Sequence, residues 1–167
     1  MADDAVVLRA GWATKEGGFV KTWRRRFFVL RSRLPADRLE LHPGSDGATH
    51  VLLYFKSTAQ ALGGDAPTGA IPIVPGTTAA TEAVRRNKRC VKVKSPGEDV
   101  RAYFIAPEGG STENQGWIES LTNLEAPGNA AELRRMTLGD RPIAAVVAGT
   151  GAEAAPIPGS EIALFGL

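Results

Sequence analysis

Short apolar-rich runs, each bounded by Gly, Pro, Asn, Asp or Ser, follow one another along the first part of the chain: "GWATK", "WRRRFFVLR", "HVLLYFK", "GAIPIV", "RCVKVK" and "VRAYFIA". Runs of this length and punctuation predict an antiparallel meander. The Gly17-Gly18 pair separates the first two runs and can supply the positive φ angles of a tight hairpin, and residues 95–99, "SPGED", separate the last two. The pattern then changes period. "STENQGWIESLTNL" carries Trp117, Ile118, Leu121 and Leu124 on one helical face, with Ser111 or Thr112 as the N-cap ahead of Glu113. Gly116 inside this helix weakens it by about 1 kcal/mol relative to alanine, so tertiary packing must hold it.

Two segments carry no such pattern. Residues 31–50 contain Pro35, Pro43 and Gly44 and are too long for a hairpin connection. They read as a surface excursion with a short strand at residues 38–42. Beyond Leu124 the composition shifts to Ala, Gly and Pro without a sustained period, which predicts a linker or flexible tail over residues 125–167; its last residues, "EIALFGL", either dock on the domain or a partner or are the cut end of a longer protein.

The chain has 167 residues, enough for one domain with a core, and 43% of them are apolar and 23% charged. No stretch approaches the roughly 18 apolar residues of a spanning helix. The acidic start "MADDAVVLRAGW" lacks the positive charge of a secretory leader, and the single Cys90 cannot form an internal disulfide. A cytoplasmic location is the expectation.

The net charge of +2 conceals an uneven distribution. Residues 15–31 hold Lys15, Lys21, Arg24, Arg25, Arg26 and Arg31 against Glu16 alone, and residues 85–94, "RRNKRCVKVK", hold six more cations without an acid. An anionic partner is the natural hypothesis, and the alternative is that the two basic segments are simply solvated hairpin rims. With side chains alternating along a strand, Arg24, Arg26, Phe28 and Leu30 share one face, and Trp23, Arg25, Phe27 and Val29 the other. Because "FFVL" contributes to both sets, alternation leaves open which face is the core. If the first set faces inward, Arg24 and Arg26 are pushed to the open end of the sheet, and pairing across the Gly-Gly turn brings Lys15 beside them. Unpaired guanidinium groups are costly to bury, so that end should hold an anion or water.

The basic hairpin "GWATKEGGFVKTWRRRFFVL", the strand "LLYF" and the segment "YFIAPEGGSTENQGWIESL" together resemble the pleckstrin homology family, over residues 8–124. The resemblance implies a mainly β fold with one C-terminal α-helix, a seven-stranded antiparallel barrel or sandwich made of two nearly orthogonal sheets and capped by the Trp117 helix. It also implies a phosphoinositide-binding, membrane-recruiting module of the signalling type. Lys15, Gly17, Arg24, Arg26, Phe27 and Phe28 fit the pattern of members selective for 3-phosphoinositides. By that resemblance Lys15 and Arg26 grip the inositol phosphates with Arg24 alongside, and Tyr54 donates its hydroxyl to a phosphate. Lys21 and Arg25 then face the membrane or the rim. Phe19 stands where tight binders often have a cation, and either inserts into the bilayer interface or folds back on the hairpin. Thr68 replaces an arginine that some members use.

Two other classes compete. The same fold can serve as a protein-interaction scaffold with a weak, non-specific anionic surface. Arginines beside Trp23, Phe27 and Phe28 could bind single-stranded nucleic acid, but these aromatics are better explained as core. Catalysis has little support: His42 and His50 lack a nucleophile or metal-ligand spacing, Glu98 and Asp99 read as a solvated turn, and "GTGAEA" lacks the context of a nucleotide loop. No enzymatic activity, cofactor or metal is expected.

Overall fold

The computed structural model describes residues 6–17, 22–34, 37, 39, 45–62, 65–85, 88–98, 100–126, 128–129, 137–138 and 141–142. Seven strands make up its main sheet: β1 (Val7–Glu16), β2 (Trp23–Ser32), β3 (His50–Phe55), β4 (Gly69–Ile73), β5 (Thr78–Arg85), β6 (Lys88–Lys94) and β7 (Tyr103–Pro107). A short helix α1 (Thr58–Leu62) links β3 to β4, and α2 (Ser111–Thr122) follows β7. The fold is mainly β with a C-terminal helix, as the sequence patterns predict.

All neighbours are antiparallel, in the order β4-β3-β2-β1-β7-β6-β5. The two sheets expected from the sequence are thus hydrogen-bonded into one open sheet. The join is at the end of β1, where Ala13, Thr14 and Lys15 pair with Arg26, Arg25 and Arg24 on one side and with Pro107, Ala106 and Ile105 on the other. Among the described residues, the first half of β1 has no strand on that second side. There the Asn129 side-chain amide takes the place of one, accepting from the Ala10 N–H at 3.0 Å and donating to its carbonyl at 2.7 Å.

Both faces of β2 are buried, which is why "FFVL" shows no alternation. Phe28 and Leu30 join Leu52, Ile71, Ile73, Val91, Val93, Ile105, Trp117 and Leu121 in the cluster beneath α2. Phe27 and Val29 join Val51, Leu53 and Phe55 on the opposite face, under Leu39, Ala48 and the α1 residue Ala61. Leu39 and Ala48 of the excursion between β2 and β3 therefore belong to the core, where a surface loop is expected from the sequence. Leu39 is fully buried, and the Arg31 guanidinium makes a bidentate pair with Asp37 at 2.7 and 2.9 Å, both side chains more than nine-tenths buried. Leu39 lies in a 3₁₀ turn, while the other residues of the strand expected at 38–42 lie outside the described residues.

Two further expectations are corrected. Helix α2 is capped by Gly110, at φ 78°, without a side-chain cap from Ser111 or Thr112, which are already helical. And β5, "TAATEAVR", is a strand that composition does not announce; pairing with β6 imposes it on an Ala- and Thr-rich segment of weak intrinsic preference. Gly116 has a packing reason. A Cβ there would meet the Arg9 guanidinium at 2.9 Å, and Arg9 in turn donates to Ser120 Oγ at 2.8 Å, pairs with Glu113 at 3.5 Å and lies 5.9 Å from the centre of the Trp117 ring. In the segment after α2, Thr137–Leu138 and Arg141–Pro142 pair as two short strands, β8 and β9.

Candidate functional site

The hairpin of β1 and β2 is closed by the Gly17 N–H donating to the Thr22 carbonyl at 2.8 Å, a wider connection than a two-residue turn. Phe19 and Lys21 belong to that connection and lie outside the described residues. Strand periodicity places Lys15 on the same face as Ala13, and Arg24 and Arg26 on the same face as Phe28. The register sets Lys15 opposite Arg24 and Ala13 opposite Arg26. Directly opposed like charges destabilise a sheet, so this pairing has a cost that core packing must cover.

Lys15 is buried, with its ammonium 5.1 Å from the centre of the Tyr54 ring and 5.5 Å from that of Tyr103. The ammonium donates to the Glu16 carbonyl at 3.2 Å. The two rings pack against the cluster beneath α2, and Tyr54 also touches Phe28, with ring centres 5.5 Å apart. The aromatic rings thus form a shelf at the edge of the core on which the lysine rests. Cation–π attraction contributes about 0.5–2 kcal/mol per such contact.

The electrostatics of the shelf are one-sided. Loss of hydration pushes the Lys15 pKa down from 10.5 to about 8, the positive fields of Arg101 and then Arg26 push in the same direction, and Glu16 opposes them. Burial and Tyr103 raise the Tyr54 phenol, against the pull of Arg101 and Arg26. Arg101, just ahead of β7, is the residue that sequence reading missed. Its guanidinium stands 4.4 Å over the Tyr103 ring and brings a third cation to Lys15 and Arg26. An isolated arginine in a loop has no signal of its own; only the "RAY" spacing, two residues ahead of a core-facing tyrosine, could have pointed to it.

Arg25 goes elsewhere. On the opposite face of β2 its guanidinium donates to both Glu108 oxygens, at 2.5 and 3.1 Å, and stacks 3.9 Å over Trp12. Arg24 is exposed at the hairpin, and Arg26 is half-buried and donates to the Arg25 carbonyl at 2.8 Å. The structure therefore brings Lys15, Arg26, Tyr54, Tyr103 and Arg101 together, keeps Arg24 on the rim opposite Lys15, and separates Arg25 from them. Of the second basic segment, Arg89 is exposed, and Lys94 is tied to the carbonyls of Ser95 and Gly97 at 3.2 and 2.7 Å. Among the described residues no group of three His, Cys, Asp or Glu side chains is placed to hold a metal, and no helix is long and apolar enough to cross a membrane.

No family model matches the chain. Pleckstrin homology domain-containing protein 1 of Arabidopsis thaliana is 32% identical over 114 residues, which is 68% of this chain and 65% of that protein. A PH domain-containing protein of Dictyostelium discoideum is 31% identical over 121 residues, 72% of this chain but 21% of that protein. Among solved structures, the C-terminal PH domain of pleckstrin, in complex with D-myo-Ins(1,2,3,5,6)P5, is similar over 70% of this chain and 93% of its own, at 22% identity and a TM-score of 0.49. Human MINERVA is similar over 92% of this chain and 26% of its own, at 13% identity and a TM-score of 0.53. Both relatives above 30% identity carry the same family in their names and match more than two thirds of this chain: the chain belongs to the pleckstrin homology (PH) domain family.

Proposed function

We propose that this PH domain is a phosphoinositide-binding module that recruits its chain to membranes and favours 3-phosphoinositides. A PH domain is a binding module for lipid headgroups, inositol phosphates or proteins, and the proposal selects the first of these. In this reading Lys15, Arg24, Arg26 and Tyr54 hold the headgroup phosphates, Arg101 completes the ring of cations, and Phe19 and Lys21 meet the membrane surface.

The observation that carries the reading is the state of Lys15. Its ammonium is buried against the Tyr54 and Tyr103 rings, and lost hydration together with the fields of Arg101 and Arg26 weakens its hold on the proton, which an anion would strengthen. Phosphate oxygens do so directly, because guanidinium forks and an ammonium both suit them. The preference for 3-phosphoinositides rests on the match of Lys15, Gly17, Arg24, Arg26, Phe27 and Phe28 to the pattern of such members.

The test is co-sedimentation with vesicles carrying 3-phosphoinositides, other phosphoinositides or phosphatidylserine at equal surface charge. Preference for a 3-phosphoinositide, lost in the Lys15→Ala/Arg26→Ala variant, supports the reading. Equal binding to every anionic surface, or none, overturns it in favour of a protein-interaction scaffold.

A further inference from the structure

Tyr54 on β3 stands directly across from Gly69, the first residue of β4, and the Thr68 N–H donates to the Tyr54 carbonyl at 2.9 Å. The tyrosine side chain lies over the glycine so closely that a Cβ at residue 69 would overlap the Tyr54 hydroxyl and Cζ, with Cε2 only 2.8 Å away. Gly69 has no positive φ to require glycine. What it supplies is room. A glycine inside a strand weakens the strand, and a close approach by another group is one of the few reasons to keep it there. The ring that occupies this room is one of the two on which the Lys15 ammonium rests.

We infer that Gly69 is a positioning residue for the anion site, acting through Tyr54: its missing side chain lets the hydroxyl end of the Tyr54 ring lie over the start of β4 and so hold the ring against the Lys15 ammonium. The inference deepens the phosphoinositide reading and rests on it for its effect on binding. Any side chain at residue 69 forces the Tyr54 ring to swing away, because backbone on both strands is fixed by pairing and the obstructing atoms belong to a rigid ring. Lys15 then loses one aromatic contact and gains water. Cation–π contacts of this kind correspond to roughly a fivefold change in affinity.

The experiment is a double-mutant cycle on the full chain with Gly69→Ala, Tyr54→Ala and the two combined, read by binding to phosphoinositide vesicles and by NMR titration of the Lys15 side-chain signals without ligand. The expected result is that Gly69→Ala weakens vesicle binding about fivefold and moves the Lys15 titration upward from about 8. In the Tyr54→Ala background the same substitution should change neither. Equal effects of Gly69→Ala in both backgrounds, or an unmoved Lys15 titration, overturn the inference, since a merely structural glycine would act regardless of Tyr54. If the wild type shows no headgroup-dependent binding, the functional reading fails, and the titration alone decides the role of Gly69.

Discussion

The Lys15 ammonium lies 5.1 Å from the centre of the Tyr54 ring, a contact between β1 and β3 that reaches across the intervening β2. The Lys15 pKa is about 8 in the folded state against 10.5 for a solvated lysine, mainly from lost hydration, so between these values the unfolded chain binds more protons than the folded one. Stability contributed by this group therefore rises with pH across that window. Urea titrations at pH 7 to 10.5 should show that rise in the wild type relative to Lys15→Met.

Ligand binding has the opposite sign. An anion beside Lys15 favours the ammonium, so above about pH 8 binding must take up a proton. Affinity for phosphoinositide vesicles should fall toward a limit of about tenfold per pH unit above that value. Lys15→Arg, which stays charged, should bind with a flatter profile. Vesicle binding measured from pH 7 to 9.5 checks both.

Arg25 gives a test of which hairpin cations face the ligand. Because it is committed to Glu108 and stacked on Trp12, Arg25→Ala should leave headgroup preference intact and slightly lower the unfolding midpoint. A loss of vesicle binding of about fivefold, the scale of one cation near an anionic leaflet, would place it on the membrane face instead.

The segment between β2 and β3 should behave as core. Asp37→Ala strands the buried Arg31 guanidinium and should cost about 3–5 kcal/mol, whereas Arg31→Met/Asp37→Leu together should cost much less. Leu39→Ala should cost about 2–5 kcal/mol. Equilibrium denaturation measures all three.

Gly116→Ala sets two effects against each other. Helix propensity gains about 1 kcal/mol. Displacing Arg9 from Ser120 and Glu113 forfeits charge-assisted bonds worth roughly 1.5–3 kcal/mol, so a net loss near 1 kcal/mol is expected. In an Arg9→Met background the same substitution should stabilise.

Part of the fold is written in short-range periodicity. Strands β1, β2, β3, β4, β6 and β7 and the Trp117 helix are legible because each carries its own apolar pattern and turn residues. That Lys15 and Arg24 share an end of the first hairpin follows from chain direction and a glycine-rich connection, both local. The tertiary structure decided whatever depends on a partner far along the chain. β5 is a strand because β6 is beside it, and Leu39 is core because it meets the outer face of a strand buried on both sides. Alternation turns Arg25 away from Arg24 and Arg26, but its pairing with Glu108, 83 residues away, comes from the tertiary fold. Arg101 enters that cluster because β7 pairs with the end of β1 and sets Tyr103 beneath Lys15. A side chain's burial and charge environment are properties of the groups packed around it, and periodicity reports only which way it points.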